Sequence, residues 1–311
     1  MVQQTSLEST AMELNAETVT TPPRAAATVV MLRDTAEGVE VFLLKRHGLS
    51  DVMGGAYVFP GGKVDPRDAE PDMRQHLDRD PDELHGKLAE PELDAVTAAS
   101  LYVAAIREAF EESGILFVQG ATPATVTRAG ALLREGMAFD EMLAELALRM
   151  DTASVVPWSR WITPKVPTVS NKRFDTRFFV AAVPLHQVAA HDNHEATDST
   201  WLTPRAALAR YWSGSIEMAP PQIMSLAYLS HFRNVEQVLR TARLTSPPVI
   251  APEPFQHEGL RVVCYPGDER HPVPGRVFPG PTRLTYRNKR FEPARGFESL
   301  FDRAPGFFEE D

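Results

Sequence analysis

The chain has 311 residues, 43% of them hydrophobic and 24% charged, with a formal net charge of −10 at pH 7. That is the make-up of a folded globular protein, and the acidic balance argues against a nucleic-acid partner, whose phosphates are met by clustered Lys and Arg. No run approaches the ~18 to 20 apolar residues of a membrane-spanning helix, and the single cysteine, Cys264, excludes an internal disulfide or a cysteine metal site.

Residues 1–24 are polar and close on Pro22-Pro23, which predicts a disordered tail. Residues 25–32 and 39–44 are β-branched and apolar runs around a polar turn at 34–38, a predicted hairpin. A short strand through Tyr57 and Val58 should lead into Phe59-Pro60-Gly61-Gly62, where the paired glycines allow close approach to a ligand. The stretch 66–91 is strongly charged and punctuated by Pro71, Pro81 and Pro91. It reads as a surface excursion of short helical pieces, either capping a pocket or inert.

A helix is predicted from Glu92 to Ser113, closed by Gly114 as a left-handed cap and followed by a strand over 115–118. The apolar pattern between Thr127 and Met150 gives two helices. Residues 155–162 and 174–183 are extended, the second apolar almost throughout and so central in a sheet. Trp201-Leu202 end another strand. Thr203 caps a helix that starts at Pro204 and runs to about Tyr211, and Pro220-Pro221 open the next. From 246 onward the chain is proline-rich, with a hairpin expected around Gly267-Asp268. Residues 246–311 read as a β-rich C-terminal extension packed on the core or on a partner subunit.

Chemistry concentrates in residues 107–114, Arg-Glu-Ala-Phe-Glu-Glu-Ser-Gly. On a helix, Glu108, Glu111 and Glu112 stand at i, i+3 and i+4, within about a third of the circumference, while Ala99, Val103, Ile106 and Phe110 take the opposite side. Three carboxylates so gathered repel one another unless a cation joins them, and oxygen donors suit a hard divalent ion. An anionic ligand would need a basic lining, which Lys45-Arg46-His47 and Lys172-Arg173 with Arg177 can supply. His191 and His194 invite a zinc reading, but no third nitrogen or sulfur ligand stands at a telling spacing.

Gly62, Asp68, Arg107, Glu108, Ala109, Glu111, Glu112, Gly114 and Ile115 together resemble the Nudix hydrolase box, G-x5-E-x7-R-E-U-x-E-E-x-G-U with U aliphatic. Asp68 stands at the usual glutamate, and residues 69–106 fill a gap that normally holds seven. Such an interrupted box resembles the coenzyme A diphosphatase subgroup typified by animal peroxisomal enzymes. The runs leading into Phe59-Pro60-Gly61-Gly62, the stretch 173–179, and the landmarks at 202–208 and 218–222 are similar to that subgroup, over residues 26 to about 240. Its coenzyme A signature is met at Leu43, Leu44, Arg46, Gly55 and 59–62, and departed from at Lys45, His47 and Asp51.

The resemblance implies an α/β fold, a Nudix-type α/β/α sandwich with a mixed sheet over residues 25–245, with a helical insertion inside the box and the C-terminal extension outside it. It implies a diphosphatase using Mg2+, with Mn2+ able to substitute. Glu111 and Glu112 would ligate the metal, and Glu108 would ligate it or deprotonate water. Arg107 would orient the cluster through Glu111 and the carbonyls of the glycine turn, and Glu195 would be a late acidic ligand or base. Asp65 and Asp68 are further acidic candidates, at a distance the insertion leaves open. Arg46, Gly61, Gly62, Lys63, Arg173 and Arg177 are the substrate-binding candidates. The substrate expected is a small nucleotide derivative, coenzyme A or acyl-CoA, with ADP-ribose or a dinucleotide as the rival and a non-catalytic nucleotide-binding module as a third reading. A cytoplasmic location is expected, since the chain ends in Glu-Glu-Asp and not in a peroxisomal Ser-Lys-Leu. A homodimer is left open.

Overall fold

The computed structural model describes residues 15, 17–48, 54–167, 172–192 and 196–307. In chain order the first elements are strands β1 (Arg24–Thr35), β2 (Gly38–Arg46), β3 (Tyr57–Val58) and β4 (Gly61–Lys63), then helices α1 (Pro71–Arg74), α2 (Pro81–Leu88), α3 (Ala95–Ser113), α4 (Pro123–Arg134) and α5 (Phe139–Glu145). There follow β5 (Val156–Ile162), β6 (Phe174–Ala182), β7 (Ala196–Leu202), α6 (Pro204–Trp212), α7 (Pro220–Leu229) and α8 (Val235–Leu244). Five short strands close the chain: β8 (Val249–Ile250), β9 (Glu253–His257), β10 (Leu260–Cys264), β11 (Arg283–Arg287) and β12 (Arg290–Glu292).

The main sheet has the order β3-β2-β1-β6-β5-β8, with β4 added on β1 and β7 on β2. It is mixed, because β1 pairs parallel with β6 and antiparallel with β2. One edge of β1 changes partner along its length. Residues Leu32 to Thr35 face β2, whereas Ala26 to Thr28 face Lys63 to Gly61 of β4. The sheet therefore forks at the point where the glycine turn enters.

Side-chain alternation along the strands feeds two cores. Ala27, Val29, Met31, Phe42, Leu44, Phe179 and Ala181 lie under α3, and Val30, Leu32, Leu43, Phe178 and Val180 pack against α6, α7 and α8. Helices thus cover both faces, the three-layer α/β arrangement expected from the sequence.

The insertion is neither a surface cap nor an inert loop. Met73, Leu77, Leu84 and Leu88 are at most 3% exposed and join the core beneath α3. Their i, i+4 spacing was hidden in a highly charged stretch, whose charges occupy the outward face. Helix α3 starts at Ala95 and not at Glu92, because Asp94 accepts a hydrogen bond from the Thr97 amide at 2.9 Å and caps it there. No strand forms over 115–118; Val118 makes only an isolated bridge to Met150. The anticipated hairpin at Gly267-Asp268 is a turn in a long excursion between β10 and β11, and the hairpin turns lie instead between β9 and β10 and between β11 and β12. The tail assigned to residues 1–24 is ordered over part of its length. Asn15 donates to the Pro167 carbonyl at 3.2 Å and the Val19 amide to Lys165 O at 2.7 Å.

The C-terminal residues pack on the sheet face opposite α3. β8 extends the main sheet beside β5, and Tyr265, Phe278, Leu284 and Phe291 enter the core with Trp161, Phe178 and Tyr211. The Tyr211 hydroxyl donates to Phe291 O at 3.0 Å and accepts from the Phe291 amide at 2.7 Å, satisfying both groups. Tyr211→Phe should therefore cost about 1–3 kcal/mol in urea unfolding, since it strands two buried backbone groups. Tyr265→Phe is expected to be neutral or stabilising, because that hydroxyl is buried with no hydrogen-bond partner among the described residues.

Candidate active site

Helix α3 runs along β1 and brings its last two turns over β4. Gly114, with φ 72°, takes the left-handed cap conformation that ends it. Where the helix meets the glycine turn, Glu112 Oε2 accepts a hydrogen bond from the Gly61 amide at 2.8 Å. Glu112 is buried, at 8% exposure. Gly62 faces Glu108 so closely that a Cβ there would lie 2.5 Å from Glu108 Cδ and 2.6 Å from Oε2. The absent side chain of Gly62 is what lets this carboxylate stand against the strand.

Arg107 organises the cluster. Its Nη1 donates to Glu108 Oε1 at 2.8 Å and to Glu111 Oε2 at 2.9 Å, and its Nη2 reaches the Lys63 carbonyl at 3.1 Å. The expected pairing with Glu111 is present, and the carbonyl contacted belongs to the residue just after the glycines. The same guanidinium grips Asp68 through Nε at 2.9 Å and Nη2 at 3.0 Å. Burial works against the Arg107 charge, but its hydrogen bonds to Asp68 and the charges of Glu108, Asp68 and Glu111 outweigh that and raise its pKa well above the ordinary arginine value.

The sequence left the distance of Asp68 to the helix open, and the structure closes it. Asp68 is fully buried. It also accepts from the Asp65 amide at 2.8 Å, while Asp65 accepts from the Arg67 amide at 2.9 Å. The motif Asp65-Pro66-Arg67-Asp68 is a capping box around a short 3-10 turn. That local signal, an acidic cap followed three residues later by another acid, could have placed Asp68 from sequence. The insertion thus begins only after the chain has delivered Asp68 to Arg107. Asp68→Asn should lower kcat about tenfold or more and destabilise by about 1–3 kcal/mol, because one buried guanidinium loses its paired acceptor; kcat and the urea midpoint measure the two effects.

The remaining candidates divide. Arg46 is the last residue of β2, at an irregularity in the pairing with β7, and its Nε is buried with no hydrogen-bond partner among the described residues. Its Cα partner is Ala196, the first residue of β7. The Lys63 side chain is exposed. Arg177 is not brought to Glu108, Glu111 and Glu112 but is engaged elsewhere. It is 4% exposed and donates to the Glu90 carboxylate, with Asp175 beside it at 3.1 Å. Arg160 joins the same network through Glu90, Glu92 and Asp175, so these arginines tie the end of the insertion to β5 and β6. Arg173 is likewise engaged elsewhere, donating to the carbonyls of Thr163, Pro164 and Thr21 at 3.1 Å each. His191 Nδ1 lies 3.0 Å from Ser199 Oγ. Glu195, His194 and Asp51 fall outside the described residues.

Among the described residues no group of three or more His, Cys, Asp or Glu side chains already converges as a metal cage. The donor set nevertheless suits a hard divalent ion: Glu108, Glu111 and Glu112 offer only carboxylate oxygens, from one stripe of one helix, beside a turn with free space for no side chain of its own. Among the described residues no helix is long and apolar enough to cross a membrane.

Comparison with known proteins agrees with this geometry. The family model described as the NUDT19 Nudix domain matches residues 8–229. The acyl-coenzyme A diphosphatase NUDT19 of Xenopus laevis is 30% identical over 275 residues, which cover 75% of this chain and 71% of that protein. The putative nudix hydrolase 7 of Caenorhabditis elegans is 24% identical over 305 residues, 91% of this chain and 90% of its own. A crystal structure of a NUDIX hydrolase from Alicyclobacillus acidocaldarius shares the fold with a TM-score of 0.57 at 28% identity, covering 73% of this chain and 100% of that one. With the interrupted box closed in space by Asp68 and Arg107, and a family model spanning most of the chain, this protein belongs to the NUDT19 Nudix domain family and is a Nudix hydrolase.

Proposed function

We propose that the enzyme cleaves the diphosphate linkage of coenzyme A or acyl-CoA, adding water across the P–O–P bridge to give adenosine 3′,5′-bisphosphate and (acyl) phosphopantetheine. The observation that carries this reading is the placement of Glu108 and Glu112 against Gly61 and Gly62. Glu108, Glu111 and Glu112 would hold Mg2+, or Mn2+ in its place. A divalent ion bound there would supply neutralisation of phosphate charge and a lowered pKa for water.

The protein's own groups do the rest. Glu108, or Glu195 from the stretch before β7, takes the proton of the attacking water. Arg107 keeps Glu108 and Glu111 aimed, and the Gly61 amide fixes Glu112. Arg46, whose buried Nε has no hydrogen-bond partner among the described residues, fits a phosphate of the substrate. The coenzyme A choice is supported by the partial signature from Leu43 to Gly62 and by the name of the Xenopus relative. ADP-ribose is the second reading, favoured by Asp51 at the signature's other arginine position, since an aspartate there cannot pair with a phosphate.

Product identification by mass spectrometry separates the readings. Coenzyme A, an acyl-CoA, dephospho-coenzyme A and ADP-ribose are each incubated with the protein and Mg2+, with and without chelator. The expected result is cleavage of coenzyme A or its acyl form to the two named products, abolished by chelator. Preferential cleavage of ADP-ribose would end the coenzyme A reading, and binding without cleavage of any member would leave a nucleotide-binding module.

A further inference from the structure

Residues 115–118 leave α3 deeply buried yet join no sheet, so their backbone groups need other partners. Gln187, in the loop between β6 and β7, supplies them at Leu116. Its Oε1 accepts from the Leu116 amide at 2.8 Å and its Nε2 donates to the Leu116 carbonyl at 2.9 Å. A primary amide offers donor and acceptor side by side, as a neighbouring strand does.

Among the described residues of this loop, apolar packing is limited to Val183 and Ala189, both only partly buried against the core under α3. Gln187 is 8% exposed, whereas Leu185 and Val188 on either side are 106% and 86% exposed. A third hydrogen bond, from the Ala190 amide to Ser113 O at 3.0 Å, attaches the loop one residue beyond Glu112. The loop therefore grips the chain at 113 and at 116, on both sides of the Gly114 cap.

We infer that Gln187 is a positioning residue for the hydrolytic reaction: through Leu116 it fixes the last turn of α3, and with it the carboxylates of Glu111 and Glu112. The inference rests on the reading of those carboxylates as the catalytic site. Gln187→Leu keeps the volume and removes both hydrogen bonds. Gln187→Glu presents a paired donor and acceptor only when its carboxyl is protonated.

The test measures kcat, KM and the Mg2+ concentration for half-maximal rate on the panel member that the wild-type protein cleaves best, with circular dichroism and thermal unfolding alongside. For Gln187→Leu, kcat should fall about tenfold and the Mg2+ requirement rise about tenfold, with KM within about twofold. For Gln187→Glu, kcat relative to wild type should climb as pH is lowered from about 8 to about 5, because burial raises a carboxyl's pKa and protonation restores the pair. A folded Gln187→Leu protein with wild-type kcat and Mg2+ dependence overturns the inference. Where Gln187→Leu does not fold, the Gln187→Glu ratio decides, and a ratio flat with pH overturns it. A wild-type protein that cleaves no panel member removes the site reading itself, an outcome distinct from active wild type with an unaffected variant.

Discussion

Replacing Glu112 by Gln is expected to lower kcat by about a thousandfold or more while the protein stays folded. The substitution keeps the shape, and the side-chain amide oxygen can still accept from the Gly61 amide, so the packing of α3 on β4 survives. What it removes is one negative charge among three carboxylates, and a thousandfold corresponds to about 4 kcal/mol of transition-state stabilisation. The urea midpoint should move by less than about 1 kcal/mol equivalent. Turnover of the Gln variant at the wild-type rate would remove Glu112 from the site.

The adjacent glycines should fail in opposite ways when each is changed to alanine. At Gly62 the new methyl meets the flexible end of Glu108, within 2.6 Å of its carboxylate, so the side chain swings aside and the fold is kept. Activity should drop by about a hundredfold with little change in stability, because a carboxylate displaced by about an ångström is no longer in place for the chemistry. At Gly61 the methyl meets backbone, 2.7 Å from Thr28 Cα, in the pairing of β4 with β1. Backbone cannot yield as a side chain can, so Gly61→Ala should destabilise by several kcal/mol, about 2–4, and lose activity through loss of fold. Thermal unfolding and kcat on both variants distinguish a chemical from a structural defect; equal melting temperatures would contradict the assignment.

The residues most legible in the sequence were those whose role is local. The carboxylate stripe of α3, the Gly114 cap and the Thr203-Pro204 helix start depend on neighbours within one turn, and each appears where its pattern places it. The central strand β6 was readable from its second half, Phe178 to Ala182, an unbroken apolar run with no polar alternation; its first half carries Asp175, Thr176 and Arg177, the first two only partly buried. Features set by distant partners were not readable. Leu116 is apolar like a strand residue, yet its backbone is satisfied by Gln187, 71 positions away. Arg177 looked like a phosphate ligand because nothing in the sequence ties it to Glu90, 87 positions earlier. The insertion hid four core residues behind a charged outer surface, and only the i, i+4 pairs Met73–Leu77 and Leu84–Leu88 betrayed them. Asp68 lay between these cases: its capping box was local, and its grip on Arg107 was not.

Direct titration of Mn2+ into the protein, followed by the loss of the free-ion electron paramagnetic resonance signal, tests the central claim that Glu108, Glu111 and Glu112 form a divalent-ion site. Wild-type protein should take up Mn2+ in competition with Mg2+, and the Glu111→Gln, Glu112→Gln double variant should bind at least about tenfold more weakly while keeping its circular dichroism. Uptake by the folded double variant equal to that of wild type would contradict the account.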